Sequence, residues 1–132
     1  MLNFEYALPT RILFGRGMEN RVGQEVKKRN GSRVLVHYGG KSAVESGLLD
    51  RVCQCLEEAG LSYVLAGGVR PNPRLSRVEE CIRLARQEKV DFILAVGGGS
   101  VIDSAKGIGY GLANEGDVWE FYSRNRIPAA CA

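Results

Sequence analysis

The feature that most constrains the fold of this 132-residue chain is a series of apolar runs that end in glycine. Three such runs are present, and each leads into a glycine cluster: 33–38 into Gly39-Gly40, 61–66 into Gly67-Gly68, and 91–96 into Gly97-Gly98-Gly99. The first glycines of the clusters are 28 and 30 residues apart, the length of a strand–helix–strand unit. Short runs rich in Val, Ile and Leu are typical of parallel strands buried on both faces. The pattern therefore predicts three parallel strands.

Helical patterns fill the gaps between these runs. Ser42, Ser76 and Ser100 are each followed three residues later by an acidic residue, which is the pattern of an N-terminal capping box. Apolar residues then recur at helical spacing, and the first of these helices is predicted to run as far as Gly60. An earlier helix is predicted over about residues 18–29.

The segments around Pro9 indicate a short β-hairpin at the N-terminus. Residues 4–6 and 11–14 flank this proline and are predicted to be two short edge strands. Alternation of strands and helices over the rest of the chain predicts an α/β, Rossmann-like fold, with a parallel sheet and helices on both faces. Residues 127–132 resemble the beginning of another strand, so residues 1–132 are expected to form a single domain that is cut short.

Composition excludes several classes of protein. The net charge is +3 and the basic residues are scattered, so no nucleic-acid partner is expected. The longest apolar run, Phe92 to Val96, falls far short of the roughly 20 residues of a membrane span. The N-terminus lacks a signal-peptide pattern, so a cytoplasmic location is expected. The four cysteines and the single histidine, His37, are not spaced as metal ligands; we expect reduced thiols, a packed core histidine and no metal site.

The segment from Gly97 to Asp103 is the strongest candidate for a binding site. Its three glycines follow a strand at the edge where open parallel sheets bind ligands, and they let a ligand approach the backbone without meeting a Cβ atom. The start of the next helix would add unpaired N–H groups and a positive dipole end, which favour a phosphate, and Ser100 would cap the helix or donate to a phosphate oxygen. The alternative is a tight strand-to-helix turn with a serine cap, and position alone favours a role for Asp103 as an acidic residue that stabilises the first helical turn.

Several motifs, taken together and in order, resemble those of a known family. They are Phe14-Gly15-x-Gly17, Tyr38-Gly39-Gly40-x-Ser42, Pro71-Asn72-Pro73-Arg74, Gly97-Gly98-Gly99-Ser100-Val101-Ile102-Asp103-x-Ala105-Lys106 and Gly116-Asp117-Val118-Trp119-x-Phe121. The chain resembles the N-terminal domain of the iron-containing (group III, metal-dependent) alcohol dehydrogenases, in the butanol-dehydrogenase-like branch. The resemblance covers nearly the whole chain.

This resemblance implies an NAD(P)-dependent oxidoreductase, expected to be a homo-oligomer, that interconverts alcohols with aldehydes or ketones. In the family the N-terminal domain holds the dinucleotide, and an all-helical C-terminal domain supplies aspartate and histidine ligands for iron or zinc. The sequence ends before that second domain, so no metal ligand and no catalytic residue is assigned here. The 132 residues alone are expected to be inactive.

The resemblance also implies cofactor contacts at particular positions. The glycine loop and Ser100 would hold the pyrophosphate, and Asp103 would lie near the nicotinamide-side ribose. The loop after the first strand would face the adenine-side ribose, and Asn72 the adenosine end. The residues expected to bind the dinucleotide are Gly39, Gly40, Ser42, Asn72, Gly97, Gly98, Gly99, Ser100 and Asp103.

The loop expected at the adenine-side ribose favours NADP(H) over NAD(H). An acidic side chain there would bind the ribose 2′-hydroxyl and repel a 2′-phosphate. Residues 39–42 contain no acid and one cation, Lys41, although Glu45 one helical turn further on would oppose the preference. Two alternatives to an enzyme remain open at this point: a stand-alone nucleotide-binding module, and a self-associating interaction domain without catalysis.

Overall fold

The computed structural model describes residues 10–68 and 75–113, and these form alternating helices and strands. A 3-10 helix over Met18–Arg21 leads into the first α-helix. The elements that follow are α1 (Val22–Lys28), β1 (Arg33–Tyr38), α2 (Lys41–Glu45), α3 (Leu48–Glu58), β2 (Ser62–Ala66), α4 (Leu75–Gln87), β3 (Phe92–Val96) and α5 (Gly99–Ala113). The three strands lie where the apolar runs predict them, to within one residue.

The strands form a parallel sheet in the order β2-β1-β3. Arg33 of β1 lies opposite Ser62 of β2, and Tyr38 of β1 lies opposite Val96 of β3. β1 is the central strand and its residues 34–37 are fully buried, which explains why residues 34–36 are consecutive apolar residues rather than an alternating pattern.

Helices cover both faces of the sheet, as predicted. One layer contains α1, α2 and α3, and the other contains α4 and α5. β1 contributes side chains to both cores because its alternate residues point to opposite faces of the sheet. The first core consists of Val26, Val34, Val36, Ala43, Leu49, Val52, Leu56, Leu61 and Val96. The second consists of Leu35, Ala66, Val78, Cys81, Ile82, Ala85 and Ile108.

The helix predicted from Ser42 to Gly60 is in fact two helices. The chain turns at Gly47, whose φ of +76° is a left-handed conformation that favours glycine, and α3 starts at the next residue. The break leaves Val44 half exposed instead of on the apolar face predicted for it. Glycine at position 60 does end α3: its φ is +77°, and the Leu61 amide donates back to the Leu56 carbonyl.

The three predicted capping boxes do not place serine at the cap. α2, α4 and α5 begin at Lys41, Leu75 and Gly99, so each predicted serine is the second residue of its helix. The caps of α2 and α5 are supplied by the preceding glycines; the Gly98 carbonyl accepts from two amides of α5 at 3.1 Å each. Glycine is itself an acceptable cap, which is why the serine pattern misplaces the start by one position.

The predicted N-terminal hairpin is not formed in the part that can be described. Residues 11–14 are neither helix nor strand, and the other predicted limb, residues 4–6, lies outside the described residues, as does the predicted strand over 127–132. An ion pair of 2.9 Å between Arg11 and Glu25 attaches this segment to α1. In the described ranges, no helix has the length and apolar character needed to cross a membrane.

Candidate functional site

The loops after β1 and β3 lie side by side at the carboxyl edge of the sheet. From β1 the chain passes to α2 and α3 on one face, whereas from β3 it passes to α5 on the other face. The two loops therefore diverge, and we call the place where they separate the crevice. Such a switch point is where open α/β sheets bind ligands.

The glycine loop after β3 exposes its backbone to this crevice. Gly97 has a φ of +149°, and a Cβ added there would lie 2.7 Å from Val101 Cγ2, so this position requires glycine for conformation and for space. At Gly98 and Gly99 an added Cβ would meet no atom within 4 Å. Glycine at 98 and 99 is therefore not needed for packing, and the space above both residues is open to a ligand.

The first turn of α5 presents amide groups to the same space. The amides of Val101 and Ile102 donate to the Gly98 carbonyl, while those of Gly99 and Ser100 have no backbone acceptor among the described residues. These two N–H groups lie at the positive end of a 15-residue helix. An arrangement of this kind binds phosphate.

Asp103 is the fifth residue of α5 and lies beyond the first turn, so the interpretation of this carboxylate as a helix cap is wrong. Its side chain is exposed, and it forms no hydrogen bond or ion pair with the residues that the structure describes. The carboxylate lies one turn beyond the free amides and is available to a ligand.

The loop after β1 forms the other side of the crevice. Gly39 lies against Val101, since a Cβ there would be 3.2 Å from Val101 Cγ2, and Gly40 has open space around it. Ser42 and Lys41 are exposed in α2. Val101, buried to 4% exposure, thus contacts both Gly39 and Gly97 and holds the two loops together.

The end of β2 is fixed from two sides. The Arg77 guanidinium donates to the Gly67 carbonyl from Nε at 3.2 Å and Nη2 at 2.6 Å. The Tyr38 ring packs so closely on Gly67 that no Cβ fits there. Asn72, the remaining residue expected to contact the cofactor, lies outside the described residues.

His37 is a buried core histidine, as predicted, but its partner was not predicted. Its Nδ1 lies 2.9 Å from the Ala66 carbonyl oxygen and its Nε2 lies 2.8 Å from Ser104 Oγ. Burial lowers the pKa of His37; the Ala66 hydrogen bond opposes this with a smaller effect, and the charge of Arg77 adds a still smaller lowering. The imidazole is therefore neutral, and no sequence motif links it to a serine 67 residues away.

The sequence matches the iron-containing alcohol dehydrogenase family over residues 9–131. The chain belongs to this family. It is 43% identical over 120 residues to NADH-dependent butanol dehydrogenase A of Clostridium acetobutylicum, covering 91% of this chain and 31% of that relative. It is 42% identical over 106 residues to an NADPH-dependent aldehyde reductase of Escherichia coli, covering 80% of this chain and 26% of the reductase.

A solved structure of the family has the same fold. The crystal structure of NADH-dependent butanol dehydrogenase A from Thermotoga maritima matches with a TM-score of 0.94 and 41% identity, over 98% of this chain and 32% of that one. The chain thus spans about a third of the length of its relatives in the iron-containing alcohol dehydrogenase family.

The metal that the family's name implies does not fit the described residues. Residues 10–68 and 75–113 contain no group of three or more His, Cys, Asp or Glu side chains that could hold an ion. His37 already uses both ring nitrogens in hydrogen bonds. The described residues do have the chemistry for a phosphate-bearing cofactor, because the open space over Gly98 and Gly99 adjoins the free amides of α5.

Proposed function

We propose that this chain is the dinucleotide-binding part of an NAD(P)-dependent alcohol dehydrogenase or aldehyde reductase. The observation that carries the proposal is the crevice between β1 and β3, where open glycine backbone meets the free amides of α5. Membership of the iron-containing alcohol dehydrogenase family supports the reaction class. The reaction would transfer a hydride between a small alcohol or carbonyl compound and the nicotinamide, and the bound dinucleotide supplies that chemistry.

The residues of this chain would bind and orient the cofactor. The amides of Gly99 and Ser100 would donate to the pyrophosphate, with the Ser100 hydroxyl as a further donor. Gly97 and Gly98 would let the phosphates approach the backbone. Gly39, Gly40 and Ser42 would face the adenine-side ribose and Asn72 the adenosine end, while Asp103 would accept from a hydroxyl of the nicotinamide-side ribose. The assignment of Asn72 rests on the family resemblance alone, and the others rest on that resemblance together with the open crevice.

We also infer a preference for NADP(H). Lys41 is exposed and pairs with no described carboxylate, so its ammonium group is free to meet a ribose 2′-phosphate. The carboxylate of Glu45 lies four residues further on, at the end of α2, and is also exposed. The relatives include an NADH-dependent and an NADPH-dependent enzyme, so the preference rests on Lys41 itself.

A titration of Gly98→Val with NADPH tests the proposed site. The structure leaves room for the valine side chain, so the variant is expected to fold and to block the phosphate position, weakening binding at least tenfold. Gln24→Val, which places the same side chain on an exposed position of α1, is the control and should bind as the unsubstituted chain does. If Gly98→Val is folded and retains full affinity, the pyrophosphate assignment is wrong.

One observation favours the alternative of a self-associating module. Phe14 and Ile12 are 97% and 81% exposed, which is unusual for large apolar side chains so close together. A self-associating module requires no affinity for a dinucleotide, so the NADPH titration separates the two functions. Saturable binding that is lost in Gly98→Val supports the cofactor domain, and a folded chain without binding supports the module.

A further inference from the structure

Two polar side chains are buried in the part of the chain that the structure describes, and they contact each other. His37 is 0% exposed and Ser104 is 2% exposed. They lie in the layer where Leu35 of β1 and Ile108 of α5 are also fully buried. A pair of apolar side chains in such surroundings is commonly as stable as a hydrogen-bonded polar pair. Stability alone therefore does not account for a polar pair at this position.

The pair connects three elements in a defined direction. A carbonyl oxygen only accepts, so the Nδ1–H of His37 donates to Ala66 at the end of β2. The neutral ring then has an accepting Nε2, to which the Ser104 hydroxyl donates from α5. The charge of Arg77, on α4, disfavours protonation of the ring. On the neighbouring strands, the residues opposite His37 are Ala66 of β2 and Ala95 of β3, and neither can carry a charge.

The pair lies directly behind the crevice. His37 is two residues before Gly39, and Ser104 is one helical turn after Val101, the side chain that contacts the loops of both β1 and β3. The free amides of Gly99 and Ser100 belong to the same first turns of α5. A shift or rotation of α5 along β1 would therefore move these amides relative to the loop after β1.

We propose that His37 and Ser104 are positioning residues, whose hydrogen bond fixes the first turns of α5 against β1 so that its amides stay aimed at the cofactor pyrophosphate. The proposal rests on the proposed function above. Apolar contacts are not directional, whereas a hydrogen bond constrains both the height and the rotation of α5. Neither side chain touches the cofactor in this role.

The test compares NADPH affinity in three variants at a temperature where all are folded. Ser104→Ala removes the hydroxyl and is expected to weaken binding about five- to tenfold, because the amides are no longer held in place. Ser104→Thr keeps the hydroxyl and should restore most of the affinity. Val52→Ala weakens the opposite core layer without touching α5, and it should bind NADPH as the unsubstituted chain does.

The outcomes separate this inference from the proposed function. Weakened binding in Ser104→Ala with rescue by Ser104→Thr supports the positioning role. Full affinity in Ser104→Ala, when Gly98→Val has lost binding, overturns the positioning role and leaves the cofactor site intact. Full affinity in Gly98→Val removes the phosphate site, and the positioning role falls with it.

A measurement on the unsubstituted chain covers the case in which Ser104→Ala does not fold. His37 is the single histidine of the sequence, so its ring nitrogens give an unambiguous NMR signature. The expected spectrum is that of a neutral ring protonated on Nδ1, with an Nε2 resonance that shifts when NADPH saturates the chain. A ring protonated on Nε2, or an Nε2 resonance unchanged by bound NADPH, contradicts the proposal.

Discussion

At the scale of single residues, the chemistry of this chain depends on which side chains are left without a partner and which are not. His37 is fully engaged and neutral, because burial lowers its pKa and both nitrogens are bonded. Lys41 and Asp103, in contrast, are exposed and have no hydrogen-bond or ion-pair partner among the described residues. The buried histidine determines how the stability of the chain responds to pH, whereas the exposed charged side chains determine which cofactor the site prefers.

The buried histidine predicts a loss of stability in mild acid. As the pH falls below about 6.5, the unfolded chain takes up a proton on His37 that the folded chain does not. The free energy of unfolding should therefore fall by up to about 1.4 kcal/mol per pH unit. Urea unfolding between pH 7.5 and 5.5 measures this slope, and His37→Gln should abolish it.

Acidic groups act in a different pH range and do not obscure this effect. A hydrogen bond from Arg29 lowers the pKa of Glu25, and hydrogen bonds from Ser32 and Arg33 lower that of Asp91 against the effect of burial. The stability that these carboxylates contribute is present above their unfolded pKa values, near 4, and is lost only below them. An equal slope between pH 7.5 and 5.5 in His37→Gln would contradict the assignment to His37.

Lys41 predicts the choice between the two nicotinamide cofactors. The unsubstituted chain should bind NADPH more tightly than NADH, and Lys41→Ala should weaken NADPH binding about tenfold while leaving NADH unchanged, because only the 2′-phosphate contacts the ammonium group. Lys27→Ala, which removes an exposed lysine of α1, is the control. Tighter binding of NADH by the unsubstituted chain would contradict the preference.

At the scale of helices and strands, close packing decides where glycine cannot be replaced. α1 crosses α3 so closely that a Cβ on Gly23 would lie 2.7 Å from the Cys55 carbonyl oxygen and 2.8 Å from Ala59 Cβ. The Gly23 amide donates to Cys55 Sγ at 3.3 Å, and that thiol donates to the Asn20 carbonyl. The contact joins the first helix to the third through backbone as well as side chains.

The crossing of α1 and α3 predicts that Gly23→Ala is destabilising. Alanine would gain up to about 1 kcal/mol in helix propensity, but the clash is with backbone and should cost more, for a net loss of about 1–3 kcal/mol. Gln24→Ala, at the next position of α1 but exposed, should change stability by less than about 0.5 kcal/mol. Chemical denaturation of the two variants measures the difference. A Gly23→Ala variant as stable as Gln24→Ala would show that the helices are not in close contact.

Strands were easier to predict from the sequence than helix starts. The apolar runs that end in glycine locate β1, β2 and β3 because strands of a parallel sheet covered by helices are predominantly apolar. The serine patterns misplace three helix starts by one residue, and at two of them, α2 and α5, the reason is that Gly40 and Gly98 supply the caps. The break at Gly47 is not predicted, because the sequence shows only a glycine within an apolar helical pattern, whereas the left-handed φ angle that makes the turn is visible only in the structure.

At the scale of the whole molecule, the order of the strands creates the site. Alternation predicts a parallel sheet, but the position of β1 between β2 and β3 depends on α4 crossing to the opposite face from α3. That crossing puts the loops after β1 and β3 together, and it also brings Ser104 to His37. The two loops, and likewise His37 and Ser104, are about 60 to 70 residues apart in the sequence, so local sequence patterns cannot predict that they meet.

The proposed dinucleotide site lies in the crevice at the carboxyl edge of the sheet. Mapping of backbone amide NMR shifts during titration with NADPH tests it most directly. Saturable shifts are predicted at Gly39, Gly40 and Gly97 to Ser100, while Ser32 and Asp91, at the opposite ends of β1 and β3, should not move. Saturable shifts centred on Ser32 and Asp91, or none at the glycine loops, would show that the dinucleotide does not bind in the crevice.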